Sequence, residues 1–330
     1  MKKFTLKPLP GENLHLVQPQ HLTINYKQAL NPAQYEAVTS LDGPHLIIAG
    51  AGTGKTNTVV YRVAYLVELG VKPDAILLLT FTRKAAQDML RRAAILLDSR
   101  CENVAGGTFH SFANNILRKY GTIIGYERNY TILDQTDAED VVNLLRTRLR
   151  YDTKEKRFPR KETLYDLYSR SLNTLTPMKD ILAEDYPHYL ELEADIANVH
   201  QAYTIYKKEH NLMDYDDLLV NLVKLLRKDE SVRTALSIRY KYIMVDEYQD
   251  TNKIQSEIVK LLAFKHQNVM VVGDDAQSIY AFRGSTIKNI LEFPKEFADC
   301  KIIKLEENFR STQPILNLAN EILKRGAPII

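Results

Sequence analysis

The 330-residue chain has no tryptophan and only two cysteines, Cys101 and Cys300. Two thiols so far apart exclude a disulfide framework and any zinc-ligand spacing. Without tryptophan, stacking on a nucleobase must use Phe, Tyr or His. No hydrophobic run approaches the roughly 20 residues of a membrane span. The opening "MKKFTLKPLPGENLHL" places no apolar run after its first lysines, so it does not read as a signal peptide. Excess charge of one sign is also small. A formal +3 is too mild to establish a nucleic-acid partner by itself. What is present is an ordinary globular balance, 45% hydrophobic and 26% charged, with length for about two domains. The expectation is a soluble cytoplasmic protein with reduced thiols and no membrane association.

The hydrophobic pattern alternates. "LNPAQYEAV" reads as a helix start, with Asn31 as cap and Pro32 at the first helical position. "HLIIAG" reads as a buried strand, and "KTNTVVYRVAYLVELG" as an amphipathic helix stopping at Gly70. "AILLLTF" is a second strand, "KAAQDMLRRAAILL" a second helix, and "NVAGGTFHSF" a strand running into a turn. Such alternation predicts an α/β fold, a parallel sheet with helices on both faces. From about 125 to 215 only helical periodicity is found, with no convincing strand. Strands return at "YIMV", "NVMVV" and "KIIKL". An all-helical domain inserted into an α/β domain accounts for this order. The insert carries a basic run, "RTRLRYDTKEKRFPRK" from Arg146 to Lys161, which reads as a phosphate contact or as a solvated helix face.

"AGAGTGKT" follows a strand and opens a helix, the context a P-loop needs. Here Ala49, Gly50, Ala51, Gly52, Thr53 and Gly54 would turn backbone N–H groups toward phosphate oxygens. The helix N-terminus adds partial positive charge. Lys55 would reach the β- and γ-phosphates, and Thr56 would ligate Mg²⁺. Ala49 stands where the motif has its first glycine. In "YIMVDEYQD", Asp246 and Glu247 sit at the C-terminal end of a buried strand, the edge where open parallel sheets bind ligands. Asp246 is placed to hold Mg²⁺, and Glu247 to take a proton from the attacking water. Two acidic residues favouring a helix N-terminus are the plainer alternative. "GDDAQSIYAFRG" joins polar groups near the phosphates to Tyr280, Phe282 and Arg283, a base-stacking platform or a core-packed aromatic cluster.

In order, "LNPAQYEAV", "AGAGTGKT", "LLLTFTRKAAQDM", "GGTFHSF", "VDEYQD", "VVGDDAQSIYAFRG" and "LEENFRS" resemble the Q motif and motifs I to IV of the UvrD/Rep/PcrA-like superfamily 1 DNA helicases. "MDYDDLL" is similar to the point where that family's inserted helical domain returns to the motor. The resemblance implies a RecA-like P-loop NTPase using ATP and Mg²⁺ and acting on single-stranded DNA and single/double-strand junctions. It implies that Gln34 recognises adenine, Phe309 lies against the adenine, Gln277 senses the γ-phosphate, and Arg310 adds charge at the transition state. Phe81, His110, Tyr280, Phe282 and Arg283 would contact DNA. Plainer readings remain beside these: core for Phe81 and Phe309, a turn residue for His110, a cap neighbour for Gln34. The expected division is an extension at 1–25, a motor domain from 26–124 and 216–303, the insert at 125–215, and the start of a second motor domain at 304–330.

Two stretches depart from the family pattern. Asn57 stands where many relatives carry an arginine that reaches the nucleotide, and Arg62, one to two turns later, need not replace it. Ala281 and Phe282 stand where relatives commonly have arginine and tryptophan. Motifs V and VI are not found before Ile330, which reads as a fragment or a truncated reading frame. The implied function is an ATP-dependent helicase or translocase moving 3′ to 5′ in DNA repair, replication or recombination. The alternatives are a nucleotide-gated single-stranded DNA-binding module and the helicase portion of a helicase-nuclease.

Overall fold

The computed structural model describes residues 22–151, 157–277 and 288–325. Tyr280, Phe282 and Arg283 therefore lie outside the described residues. Two short helices lead in, α1 (Tyr26–Ala29) and α2 (Pro32–Thr39). As the sequence predicts, Asn31 caps α2 and Pro32 is its first residue. Strand β1 (His45–Ala49) feeds α3 (Lys55–Glu68), and β2 (Ile76–Thr80) feeds α4 (Arg83–Leu96). Next comes β3 (Ala105–Thr108), then α5 (Phe109–Tyr120). The turn expected after β3 is instead this helix. Thr108 and Ser111 cap one another's backbone N–H groups, so the helix starts without an intervening loop.

A small bridge follows, β4 (Thr131–Ile132), paired in parallel with β5 (Leu212–Met213). Between them run α6 (Gln135–Arg148), α7 (Lys161–Thr174), α8 (Met178–Asp185) and α9 (Glu193–Glu209). The expectation of no strand in this region is corrected here. Strands of two residues carry no period that a sequence can display. These helices bury a core of their own around Leu164, Leu167, Tyr168, Ile196 and Val199. The basic run is not one helix face. It ends α6, crosses a connection, and starts α7 at Lys161, whose Nζ donates to Asp140 Oδ1 at 2.5 Å. Arg157 and Arg160 are exposed.

The chain returns through α10 (Tyr215–Lys228) and α11 (Glu230–Arg239) to β6 (Tyr242–Val245) and α12 (Lys253–Ala263). Then come β7 (Val269–Gly273), α13 (Lys288–Glu296), β8 (Lys301–Leu305) and α14 (Gln313–Arg325). The main sheet has the order β3-β2-β6-β7-β1-β8, and its pairings are parallel. Alternate residues of the central strands feed opposite cores, as a period of two requires. Leu77, Leu79, Ile243 and Val245 join the core under α5, α10 and α12. Ile76, Leu78, Tyr242 and Met244 join the core under α3 and α4. The parallel order brings every strand's C-terminal end to one edge. The segments that leave β1, β2, β6 and β8, and the start of α5 after β3, share that edge.

Among the described residues no helix is long and apolar enough to cross a membrane.

Candidate functional site

At that edge β1 ends in Ala49, and Gly50 to Gly54 turn into α3. A turn that aims its N–H groups inward must aim its carbonyls outward, and each of three has a donor. Gln34 Nε2 donates to Thr53 O at 3.1 Å. Asn308 Nδ2 donates to Ala51 O at 2.5 Å, and Phe309 N–H to Gly52 O at 2.9 Å. Gly54 caps α3 with φ +84°, and a Cβ there would lie 2.6 Å from Gln34 Nε2. Glycine is therefore required twice, by conformation and by space. The first N–H groups of α3 have no acceptor within the helix and face the same cavity as Lys55 and Thr56.

Lys55 is buried, and its Nζ lies 3.2 Å from Glu247 Oε2. Glu247 follows β6 with φ +52°, a left-handed backbone uncommon for a residue with a side chain. Asp246 is 4% exposed, and its Oδ1 is buried without a hydrogen-bond partner. Burial, then the Glu247 charge, pushes its carboxyl up to about 7. Thr56 and Asp246 line one cavity of about 500 Å³. A buried carboxylate oxygen lacking a donor, beside a hydroxyl, suits a hard divalent cation.

Glu247 is also reached from β7. Gln249 Nε2 donates to Glu247 Oε2 at 2.6 Å, and Gln249 Oε1 accepts from Asp274 N–H at 3.0 Å. Asp274 Oδ2 accepts from Gln277 Nε2. Gln277, Phe309 and Arg310 line a cavity with Lys55, Thr56 and Glu247. The structure thus brings together Gly52, Gly54, Lys55, Thr56, Glu247, Gln277, Phe309 and Arg310, with Asp246 in the adjoining cavity. Phe309 is 62% exposed, so it is not core. Gln34 lies against the P-loop and is 4% exposed. It accepts from Asn31 N–H as a cap partner and donates to the P-loop, using one donor and one acceptor. One donor and one acceptor remain on its amide.

A third cavity, about 770 Å³, lies at the same sheet edge. Phe81, after β2, and His110, in the first turn of α5, line it with Asp246 and Glu247. Helices α7 and α10 form the facing wall through Tyr165, Asn173 and Tyr215. Phe81 is 39% exposed and so is not core, and burial alone lowers His110's pKa, favouring the neutral ring. Tyr215 packs edge-on to His110 at 6.1 Å and is 49% exposed.

Several residues at these sites were not legible in the sequence. Tyr215 reads only as part of "MDYDDLL"; its exposure beside His110 is a tertiary fact. Arg92, far along α4, lines the P-loop cavity and donates to Asn57 Oδ1 at 3.2 Å. It thereby stands beside the position where an arginine is missing. Arg62 does not: it is fully buried, and its Nη1 donates to the carbonyls of Ala37 and Ser40 at the end of α2. Asp250 Oδ1 is buried and unpartnered, on the wall of the 500 Å³ and 770 Å³ cavities.

A profile of the UvrD/REP helicase N-terminal domain matches residues 30–298. The chain is similar to "ATP-dependent DNA helicase PcrA" of Staphylococcus aureus, 40% identical over 299 residues, which is 90% of this chain and 40% of that protein. It is equally similar to the protein of that name from Staphylococcus epidermidis, 40% identical over 300 residues, again 90% of this chain and 40% of the relative. The chain thus spans about 40% of the length of the curated relatives it matches. With the P-loop, the paired acids of β6 and the shared sheet edge in place, the match over residues 30–298 establishes that this chain belongs to the UvrD/REP helicase N-terminal domain family.

Proposed function

We propose that the chain is the N-terminal motor half of an ATP-dependent DNA helicase or translocase. The observation that carries this reading is the 3.2 Å pair between Lys55 and Glu247 at the mouth of the P-loop. It puts a phosphate-binding cation and a proton acceptor in one cavity with Gln277 and Arg310. The β- and γ-phosphates of ATP would take the N–H groups of the loop and draw Lys55 away from Glu247. Glu247 would then accept the proton of the water attacking the γ-phosphorus. Arg310 would stabilise charge on the transferred group, with the Gln277 amide beside it. Thr56 and Asp246 would hold Mg²⁺, which neutralises β- and γ-phosphate charge. The donor and acceptor left on Gln34 match the N6 donor and N7 acceptor of adenine.

Single-stranded DNA would enter the neighbouring cavity, with bases against Phe81, His110 and Tyr215. Stacking of this kind is tolerant of sequence. The shared wall of Asp246 and Glu247 supports coupling between the two sites. Movement 3′ to 5′, engagement of strand junctions, and the division into motor halves with an inserted helical domain belong to this proposal through the family. So do the cytoplasmic location and the role in repair, replication or recombination. The test is titration with a fluorescent ATP analogue. Lys55→Ala should weaken binding by about 1.5–3 kcal/mol, the range for a charge-assisted hydrogen bond. Unchanged affinity removes the P-loop assignment.

A second reading has its own observation. Phe309 is 62% exposed, and Ile315, Leu318 and Ile322 of α14 are 58%, 65% and 63% exposed. Phe309, on the wall of the P-loop cavity, is thus largely open to solvent, as is the apolar face of the helix that follows. By itself the chain would act as a nucleotide-gated DNA-binding module, binding ATP weakly and turning it over slowly without unwinding. DNA-stimulated ATP turnover separates the readings.

A further inference from the structure

The segment after β8 does more than carry Phe309 and Arg310 past the P-loop cavity. It is fastened to the P-loop. Asn308 Nδ2 donates to Ala51 O at 2.5 Å, and the next residue's N–H donates to Gly52 O at 2.9 Å. On its other side the Asn308 amide oxygen accepts from the N–H groups of Arg310, at 2.9 Å, and Ser311, at 2.8 Å. One side chain therefore holds a P-loop carbonyl with its donor end and shapes the arginine's own backbone with its acceptor end. The approach is close: a Cβ on Gly52 would lie 2.7 Å from Arg310 Cβ and 2.9 Å from the Asn308 amide. Glu307 adds a tie to α2, accepting from Asn31 Nδ2 at 2.9 Å.

We infer that Asn308 is a positioning residue that couples the P-loop to Arg310, so that the arginine meets the γ-phosphate only when the loop is held in register. The inference rests on the proposed reading of Arg310. Asparagine is suited to this because it is donor and acceptor at once. Aspartate keeps only the acceptor. It preserves the turn through Arg310 and Ser311 and loses the bond to Ala51, where its charge would also face a carbonyl. Alanine loses both ends.

The experiment is a titration of the 330-residue chain with ADP and with ATPγS, comparing wild type, Asn308→Asp, Arg310→Ala and the double variant. Arg310 can recognise only the third phosphate, so Arg310→Ala should lower the ATPγS-over-ADP preference about tenfold, with ADP affinity kept. Asn308→Asp should lower the same preference to a similar extent with the melting temperature preserved. The double variant should be no worse than Arg310→Ala, because the two residues act as one unit. A wild-type preference in Asn308→Asp, alongside a lost preference in Arg310→Ala, overturns the positioning role alone. A double variant with the sum of both losses does so too, because Asn308 would then act through the P-loop without Arg310. An unchanged preference in Arg310→Ala overturns both the assignment of Arg310 and the inference. Asn308→Ser, whose hydroxyl can still accept from the turn but is too short to reach Ala51, repeats the test if aspartate disturbs the fold.

Discussion

Lys55 and Glu247 neutralise each other across 3.2 Å, one at the start of α3 and the other beyond the end of β6, with side chains 10% and 34% exposed. In the proposed reading, phosphate competes with Glu247 for the lysine. Replacing Glu247 by glutamine removes the competing charge and the proton acceptor together. Nucleotide affinity should be kept or raised, while turnover falls by about a hundredfold or more. Binding titration and a phosphate-release assay on the same variant measure both. Turnover at the wild-type rate would take the base role from Glu247.

Gly54→Ala should weaken both the fold and the site. Its φ of +84° disfavours any side chain, and the new methyl would meet Gln34 Nε2 at 2.6 Å. A loss of about 1–3 kcal/mol of stability is expected from the backbone strain. Adding Gln34→Ala should relieve the clash and recover part of that loss, not all. Denaturant unfolding of the single and double variants gives the comparison; no recovery would mean that the two residues do not press on each other.

Stability should carry a pH signature from the base of the insert. Lys207 Nζ lies 2.6 Å from both Asp214 and Asp217, and one ammonium neutralises one carboxylate. Burial, then the neighbouring Asp214 charge, raises the Asp217 carboxyl from 3.8 to about 6. Between those values the folded protein keeps a proton that the unfolded chain has released. Stability from this group therefore falls as pH rises from about 4 to about 6. Asp217→Asn should flatten that part of the profile, measured as the difference between wild-type and variant unfolding free energies. An identical slope in both proteins would contradict it.

Tyr215→Ala should reduce affinity for mixed-sequence single-stranded oligonucleotides by about 1–3 kcal/mol, while Tyr215→Phe keeps it. The hydroxyl is not needed for stacking, but the ring is. Fluorescence anisotropy reads the change. Equal binding by all three proteins would show that the strand does not run through this cavity.

In the basic run, Lys161 is held by Asp140, whereas Arg157 and Arg160 are exposed. Neutralising the two arginines should lower the slope of log affinity against log salt by about 1–2 for duplex-containing DNA, because fewer counterions are released. An unchanged slope would return the run to a solvated surface.

Local order was legible because it is local. A strand ending in "AGAGTGKT" or "VDEYQD" announces itself through hydrophobic period and turn chemistry within a dozen residues. The cap at Asn31 and the stop at Gly70 are likewise set by neighbours in the chain. The helix after Thr108 is as local as these: Phe109, Phe112, Ala113, Ile116 and Leu117 repeat at helical spacing, and only a reading that stops at Phe112 takes its first turn for a loop. The β4–β5 bridge was missed because two-residue strands have no period.

The sequence by itself determined which elements form, their alternation, and the residues that carry charge and phosphate chemistry. Only the tertiary structure decided which of these meet. The parallel sheet brings together at one edge residues 192 and 257 apart in the chain, and no pattern of spacing encodes that distance. It set Glu247, from β6, on Lys55, which follows β1. It sent Arg62 away from the P-loop cavity to the end of α2 and brought Arg92 in beside Asn57. It also gave Asn308, a residue without catalytic chemistry of its own, two contacts that join the P-loop to Arg310. The physical reason is directional: hydrogen bonds and ion pairs act over about 3 Å in space, while a sequence records only order along the chain.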